Sequence, residues 1–111
     1  MIAIVGDFND TPDSDPLKPL LSNQSDLKDI FDHPKFINDG HAGTFGNGTK
    51  NNKIDYILLS PGLFSRVTNG GVERRGVWGG TSGTLFPHFP EITKTIEAAS
   101  DHAAVFADLN L

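Results

Sequence analysis

Five polar side chains stand where a rigid sheet could aim them at a substrate. Asp7 and Asn9 close the run "IVGDFN", Asp55 lies in "KIDYILLSP", and Asp101 and His102 open "SDHAAVFADL". On extended chain, residues two apart share a face and neighbours point to opposite faces. Asp7 and Asn9 therefore share a face, where a carboxylate can take a proton or orient a water and an amide can donate to a substrate oxygen. Asp101 and His102 face opposite ways and should not pair with each other. His102 needs a partner on its own face, and Asp55 from an adjacent strand is the best candidate. A carboxylate on one imidazole nitrogen fixes the tautomer and favours the protonated ring. Such a ring is a good donor to a developing phosphate oxyanion. Asp101 is then left free as a hard oxygen ligand for Mg²⁺ or Mn²⁺.

Each residue alone also has a plainer reading. Strand-end Asp and Asn are mostly turn formers, and Ser100-Asp101 could be a polar strand entry with His102 a half-buried spacer. Asp55 resists that treatment, because an aspartate between Ile54 and Tyr56 on a core strand is costly unless paired. His33, His41 and His88 lie among turn residues and read as surface. Arg74-Arg75 reads as a solvated pair, with reach to a substrate phosphate as the alternative. Trp78, among glycines, reads as a loop anchor rather than a substrate-stacking ring.

The elements that must position these residues are short. "MIAIV", bounded by Gly6, reads as a buried strand. Such an opening, with no polar lead-in, suggests chain upstream. Asp15 can cap a short helix with Pro16 at its first position and Leu17, Leu20 and Leu21 on one side. "SDLKDIF" reads as a further helical turn or two, capped by Ser25, with Leu27, Ile30 and Phe31 inward. Residues 38–53 form a glycine- and asparagine-rich loop around a short strand at Thr44-Phe45. "KIDYILLSP" is the second clear strand, stopped by Pro61. "SDHAAVFADLNL" is the third, with Ala103, Val105, Ala107 and Leu109 on one face. Residues 66–99 give turn signals but no settled element, and "EITKTIEAA" reads equally as helix or extended chain.

The chain has 111 residues, enough for one domain and a modest core. Its formal charge of −5 argues against a general nucleic-acid binder. An enzyme that grips one phosphate through a cation remains open. With Cys 0, disulfides and thiolate metal sites are excluded. No apolar run approaches a membrane span and no signal segment opens the chain, so a soluble domain is expected, at a location the sequence leaves open.

Taken together and in order, "IVGDFNDTPDS", "GTF", "NKIDYILLSP" and "SDHAAVFADL" resemble the metal-dependent endonuclease/exonuclease/phosphatase family, which includes deoxyribonuclease I, apurinic endonucleases and bacterial sphingomyelinases. The resemblance implies a hydrolase, a nuclease or related phosphodiesterase using Mg²⁺ or Mn²⁺, with a nucleic acid, lipid or small phosphodiester as substrate. It implies that Asp7 activates or positions the attacking water, Asn9 holds the phosphate, and His102, supported by Asp55, stabilises the transition state. Asp101, with Asp7, belongs to the metal site, and Thr44 falls near the site in a supporting role. The implied fold is α/β (α+β), a four-layered β-sandwich of mostly antiparallel sheets flanked by helices. Residues 1–111 match only the C-terminal half of that domain. The first half normally supplies an asparagine and a glutamate for the metal, and no counterpart is identifiable here. The chain alone is accordingly expected to be a weak catalyst that recruits an N-terminal half or pairs with a second copy through an uncovered sheet face. The alternatives are a non-catalytic half-domain that associates through that face, and a phosphomonoesterase of the same family.

Overall fold

The computed structural model describes residues 1–111. The chain is α+β, with two small antiparallel sheets and few helical turns. Strand β1 (Ala3–Asp7) runs antiparallel to β3 (Asp55–Leu59), which also carries the two-residue β2 (Lys28–Asp29) on its other edge. Strands β4 (Val67–Glu73) and β5 (Ala104–Leu109) form the second sheet. Helix α1 (Lys18–Leu21) and helix α2 (Pro61–Phe64) are single turns, each with a proline in its first turn.

β3 is the centre of the molecule because it is buried on both faces. Tyr56 and Leu58 pack with Leu17 on one side, joined by Ile4 and Phe8. Leu59 packs on the other with Ile30 and Val67, joined by Ile57 and by Val105 and Ala107 of β5. That second cluster brings the two sheets together, so the start of β5 lies over the start of β3. A third cluster, Val77, Phe86 and Ala103, fastens the long loop before β5.

Several sequence expectations need correction. β1 is an edge strand and not a buried one: only Ile4 turns inward, while Ile2 is 58% and Val5 64% exposed. Nothing packs over its outer face. "SDLKDIF" does not form a helix. Lys28 and Asp29 pair with Leu59 and Leu58 of β3, and Ile30–Asp32 close in a tight turn capped by the Asp29 carboxylate, which accepts from Phe31 N. Tertiary pairing with a central strand outweighs a weak local helical pattern here. Asp15–Leu17 likewise makes a tight 3₁₀ turn, preceded by Ser14 rather than capped by Asp15.

Residues 66–99 contain the strand that the sequence conceals. β4 includes Gly70 and Gly71, which read as turn residues. They are needed for close approach, since a Cβ at Gly70 would lie 3.2 Å from both Ile30 and the Phe106 carbonyl. "EITKTIEAA" is mostly irregular, with one 3₁₀ turn at Thr95–Glu97. Arg74 is not solvated. It is buried, pairs with Asp39 at 2.6 Å and donates to the His41 carbonyl at 2.9 Å, whereas Arg75 pairs with Glu73 at the surface. The rings of His33, His41 and His88 are half-buried against Phe64, Phe86 and Trp78 respectively.

Candidate active site

The β1–β3 register places Asp7 directly opposite Asp55. Like charges at such a position repel. The third partner is His102, delivered from the start of β5. Its Nδ1 lies 2.9 and 3.1 Å from the two Asp55 carboxylate oxygens, and its Nε2 lies 3.8 Å from Asp7 Oδ2. One imidazole thus stands between two carboxylates, and ligand atoms of all three lie within 4.8 Å of one another. Asp55 is the most enclosed and Asp7 the most open, with side-chain exposures of 17% and 48%. A substrate therefore meets Asp7 and the Nε2 side of the ring first.

The backbone around these groups is tightly specified. Asn9 sits at φ +52, a left-handed conformation that asparagine tolerates better than most residues. Its amide donates to Asp7 Oδ1 at 2.8 Å, so "GDFN" closes an Asx-type turn with the Asp7 carboxylate as its acceptor. Asp7 Oδ2 is left for other work. Phe8 stacks on Tyr56, and the Tyr56 hydroxyl donates to the Asp10 carbonyl at 2.8 Å, locking the turn onto β3.

Thr44 joins the strand carrying Asp55 to the strand carrying His102. It is buried, and its hydroxyl oxygen accepts from the amides of Ile54 at 3.2 Å and Asp55 at 3.0 Å. Its carbonyl accepts from Ala103 N at 2.8 Å. Phe45 bridges to His102 through the backbone, with ring centroids 5.0 Å apart. Asp101 is not in the three-residue cluster. Its carbonyl accepts from Gly46 N, and its carboxylate is exposed.

The hydrogen bond that His102 Nδ1 donates to Asp55 raises the His102 pKa, opposed by partial burial and helped by the charges of Asp55, Asp7 and Asp101. Because the folded value lies above the unfolded one, this pairing stabilises the fold fully below about pH 6.5, and the contribution fades as pH rises through the raised value. Changing Asp55 to Asn should bring the His102 pKa down toward its ordinary value. An NMR titration of both proteins checks this, and superimposable curves would reject the coupling.

For a metal ion the donor set is lean. Asp55 is committed to His102 and Asp7 Oδ1 to the Asn9 amide, which leaves Asp7 Oδ2 and the exposed Asp101 carboxylate as hard donors. Of these, only Asp7 Oδ2 lies within the cluster, a single hard donor of the kind Mg²⁺ takes alongside water and phosphate oxygens. A shallow cleft beside Asp7 and Asp55, floored by Gly6, Tyr56 and Ala103, gives access. A larger cavity lies elsewhere, lined by Asp29, Phe31 and Lys53 among others, and contains none of the three clustered residues.

Sequence reasoning missed Lys53 and Asp29, a buried ion pair at 3.1 Å directly behind Asp55. The available signal was a lysine opening the apolar run "KIDYILL"; its partner was hidden in a segment read as helical.

No curated protein and no solved structure matches the chain. The sequence profile described as "Endonuclease/Exonuclease/phosphatase family" matches residues 2–102. Members of that family are generally hydrolases and typically depend on a divalent metal. The profile covers nearly the whole chain, including Asp7, Asn9, Thr44, Asp55, Asp101 and His102, and the chain belongs to the endonuclease/exonuclease/phosphatase family.

Proposed function

We propose that the protein hydrolyses a phosphodiester by in-line attack of water, in the manner of a nuclease or related phosphodiesterase. The observation that carries this reading is a histidine held between two carboxylates, with Nδ1 on Asp55 and Nε2 turned toward the open Asp7 side. Held in this way, His102 presents a proton at Nε2 to a phosphate oxygen gaining charge in the transition state. Asp7 Oδ2 lies on the same side, able to orient a water or accept its proton. The Asn9 side-chain amide, beside Asp7 in the Asx turn, would donate to another phosphate oxygen. Asp101 and Asp7 would hold Mg²⁺ or Mn²⁺, which when bound offsets the charge of the phosphate and favours ionisation of water. With a formal charge of −5, the protein needs such a cation, or a short basic feature, to attract a phosphoester.

The test is a panel of plasmid DNA, a lipid phosphodiester and a sugar phosphate, assayed in Mg²⁺ or Mn²⁺ and again with chelator. Chelator-sensitive cleavage of a diester supports the reading. Cleavage of the sugar phosphate alone would favour the phosphomonoesterase alternative, and no hydrolysis under any condition, with an upstream half added as well as without it, would refute both.

A second proposal is that residues 1–111 act as the C-terminal half of a four-layered domain. Its support is the lean donor set together with exposed apolar side chains, Ile2 and Val5 at edge strand β1 and Phe106 on β5. Exposed apolar surface of this kind commonly marks an association site. A covering N-terminal half would bring further metal ligands, whereas a second copy would cover the face without adding a new kind of ligand. Dimerisation should therefore rescue folding more readily than activity. Assaying the chain with and without a separately expressed upstream half should show activity rising only on mixing. Full activity from the chain alone would overturn this proposal, and strictly monomeric behaviour with no dye-binding surface would count against association.

A further inference from the structure

Lys53 is a cation almost wholly enclosed by the protein, with its side chain 7% exposed. Its ammonium lies 3.1 Å from Asp29 Oδ2 and sits over two aromatic rings, 4.0 Å from the Phe31 centroid and 3.8 Å from that of Tyr56. Removing two charges from water is expensive, and an apolar pair of similar volume often serves stability as well or better. Stability alone is thus a weak reason for this arrangement.

The third contact supplies a better one. Lys53 Nζ donates to the backbone carbonyl of Asp55. β2 reaches along β3 only as far as Leu58, so no strand on that edge offers a donor to the Asp55 carbonyl. The Asp55 amide on the same edge goes to Thr44 Oγ1. Asp55 therefore lies at the frayed start of a strand, yet it must hold a carboxylate on His102 at 2.9 Å. Side chains replace the missing ladder on that edge, Thr44 accepting from the amide and Lys53 donating to the carbonyl.

We propose that Lys53, steered by Asp29 and the Phe31 and Tyr56 rings, is a positioning residue that fixes the Asp55 backbone so that its carboxylate orients His102. This inference rests on the reading of Asp55 and His102 as a working pair in phosphoester hydrolysis. Lys53 touches neither His102 nor the open Asp7 side, and its effect is carried wholly through Asp55.

The double variant Lys53→Met with Asp29→Asn tests it. Both buried charges are removed together, and the asparagine keeps an acceptor for Phe31 N, so the thermal midpoint should stay near wild type. Lys53→Met alone strands the Asp29 carboxylate and should lower the midpoint. At fixed pH, the downfield Nδ1 proton resonance of His102 should broaden or vanish in the folded double variant. Its kcat should fall about ten- to a hundredfold, the scale of a small misplacement in a site, with KM little changed. Lys53→Arg, which keeps a cationic donor beneath the carbonyl, should recover both readouts in part. If the double variant does not fold, Lys53→Gln is held to the same two measurements. A folded charge-free variant with a sharp wild-type resonance would overturn the role of Lys53. Absence of hydrolysis by the wild type, alone and mixed with an upstream half, would instead refute the catalytic reading, and the proton resonance would still decide whether Lys53 positions Asp55.

Discussion

Replacing His102 with alanine is expected to lower kcat by about 10²-fold or more, the scale of losing one preorganised donor to a developing oxyanion. Three features set that expectation. The ring is held by Asp55 at 2.9 Å, so little reorganisation is needed when charge appears on the phosphate. Its raised pKa keeps the donor proton in place above about pH 6.5. Its Nε2 is the side turned toward Asp7, the most open group of the three. The rate should accordingly fall on the alkaline side, as pH rises through the His102 pKa, and that limb should disappear from the alanine variant. The fold should survive, because the bridge from residue 102 to Phe45 runs through the backbone. Steady-state rates across pH, with thermal unfolding as a control, decide the matter. An unchanged kcat in a folded variant would remove His102 from the chemistry and leave it a spacer at the entry to β5.

The sequence made some of this legible and hid the rest for physical reasons. "KIDYILLSP" and "SDHAAVFADL" announce strands by alternation, and both strands form, with Val105, Ala107 and Leu109 on the inner face of β5. The family was legible because four short motifs occur in a fixed order, and the profile over residues 2–102 bears that out. Alternation also indicated that His102 would need a partner across the sheet, since it depends on nothing beyond the period of extended chain. What alternation cannot report is whether anything covers a strand. "MIAIV" has the composition of a core strand, yet β1 lies at an edge and shows Val5 to solvent. β4 was hidden for the opposite reason. Gly70 and Gly71 are there because Ile30 and Phe106 come too close for side chains, and a close approach between distant segments leaves no trace except the glycines. Asp29 and Arg74 were misread in the same way. Their burial is decided by partners 24 and 35 residues away, Lys53 for Asp29 and Asp39 for Arg74, and no local pattern encodes such a pairing.

Asp7 offers the sharper experiment, because two accounts of it predict opposite outcomes for one substitution. As a turn former, Asp7 uses Oδ1 to accept the Asn9 amide at 2.8 Å and holds Asn9 at its positive φ. As a catalytic group, it uses charge: Oδ2 faces His102 Nε2 at 3.8 Å and the open side where water and a metal ion would meet. Asp7→Asn preserves the first role, since a side-chain amide oxygen can accept the same backbone hydrogen, and removes the second. If the turn were all that mattered, the variant would work at the wild-type rate. On the catalytic reading kcat falls by about 10²- to 10⁴-fold, the range for losing a positioned general base, with thermal stability held. If Asp7 also holds the proposed metal ion, the loss of its carboxylate should raise the Mg²⁺ or Mn²⁺ concentration needed for half-maximal rate. Removing the repulsion between Asp7 and Asp55 should leave the fold no less stable, which separates a chemical defect from a structural one. Asp7→Ala is the companion variant: it abolishes both roles, and its additional loss of stability relative to Asp7→Asn measures what the turn itself contributes. Equal rates for wild type and Asp7→Asn, at any metal concentration, would return Asp7 to the turn and require another residue to act on the water.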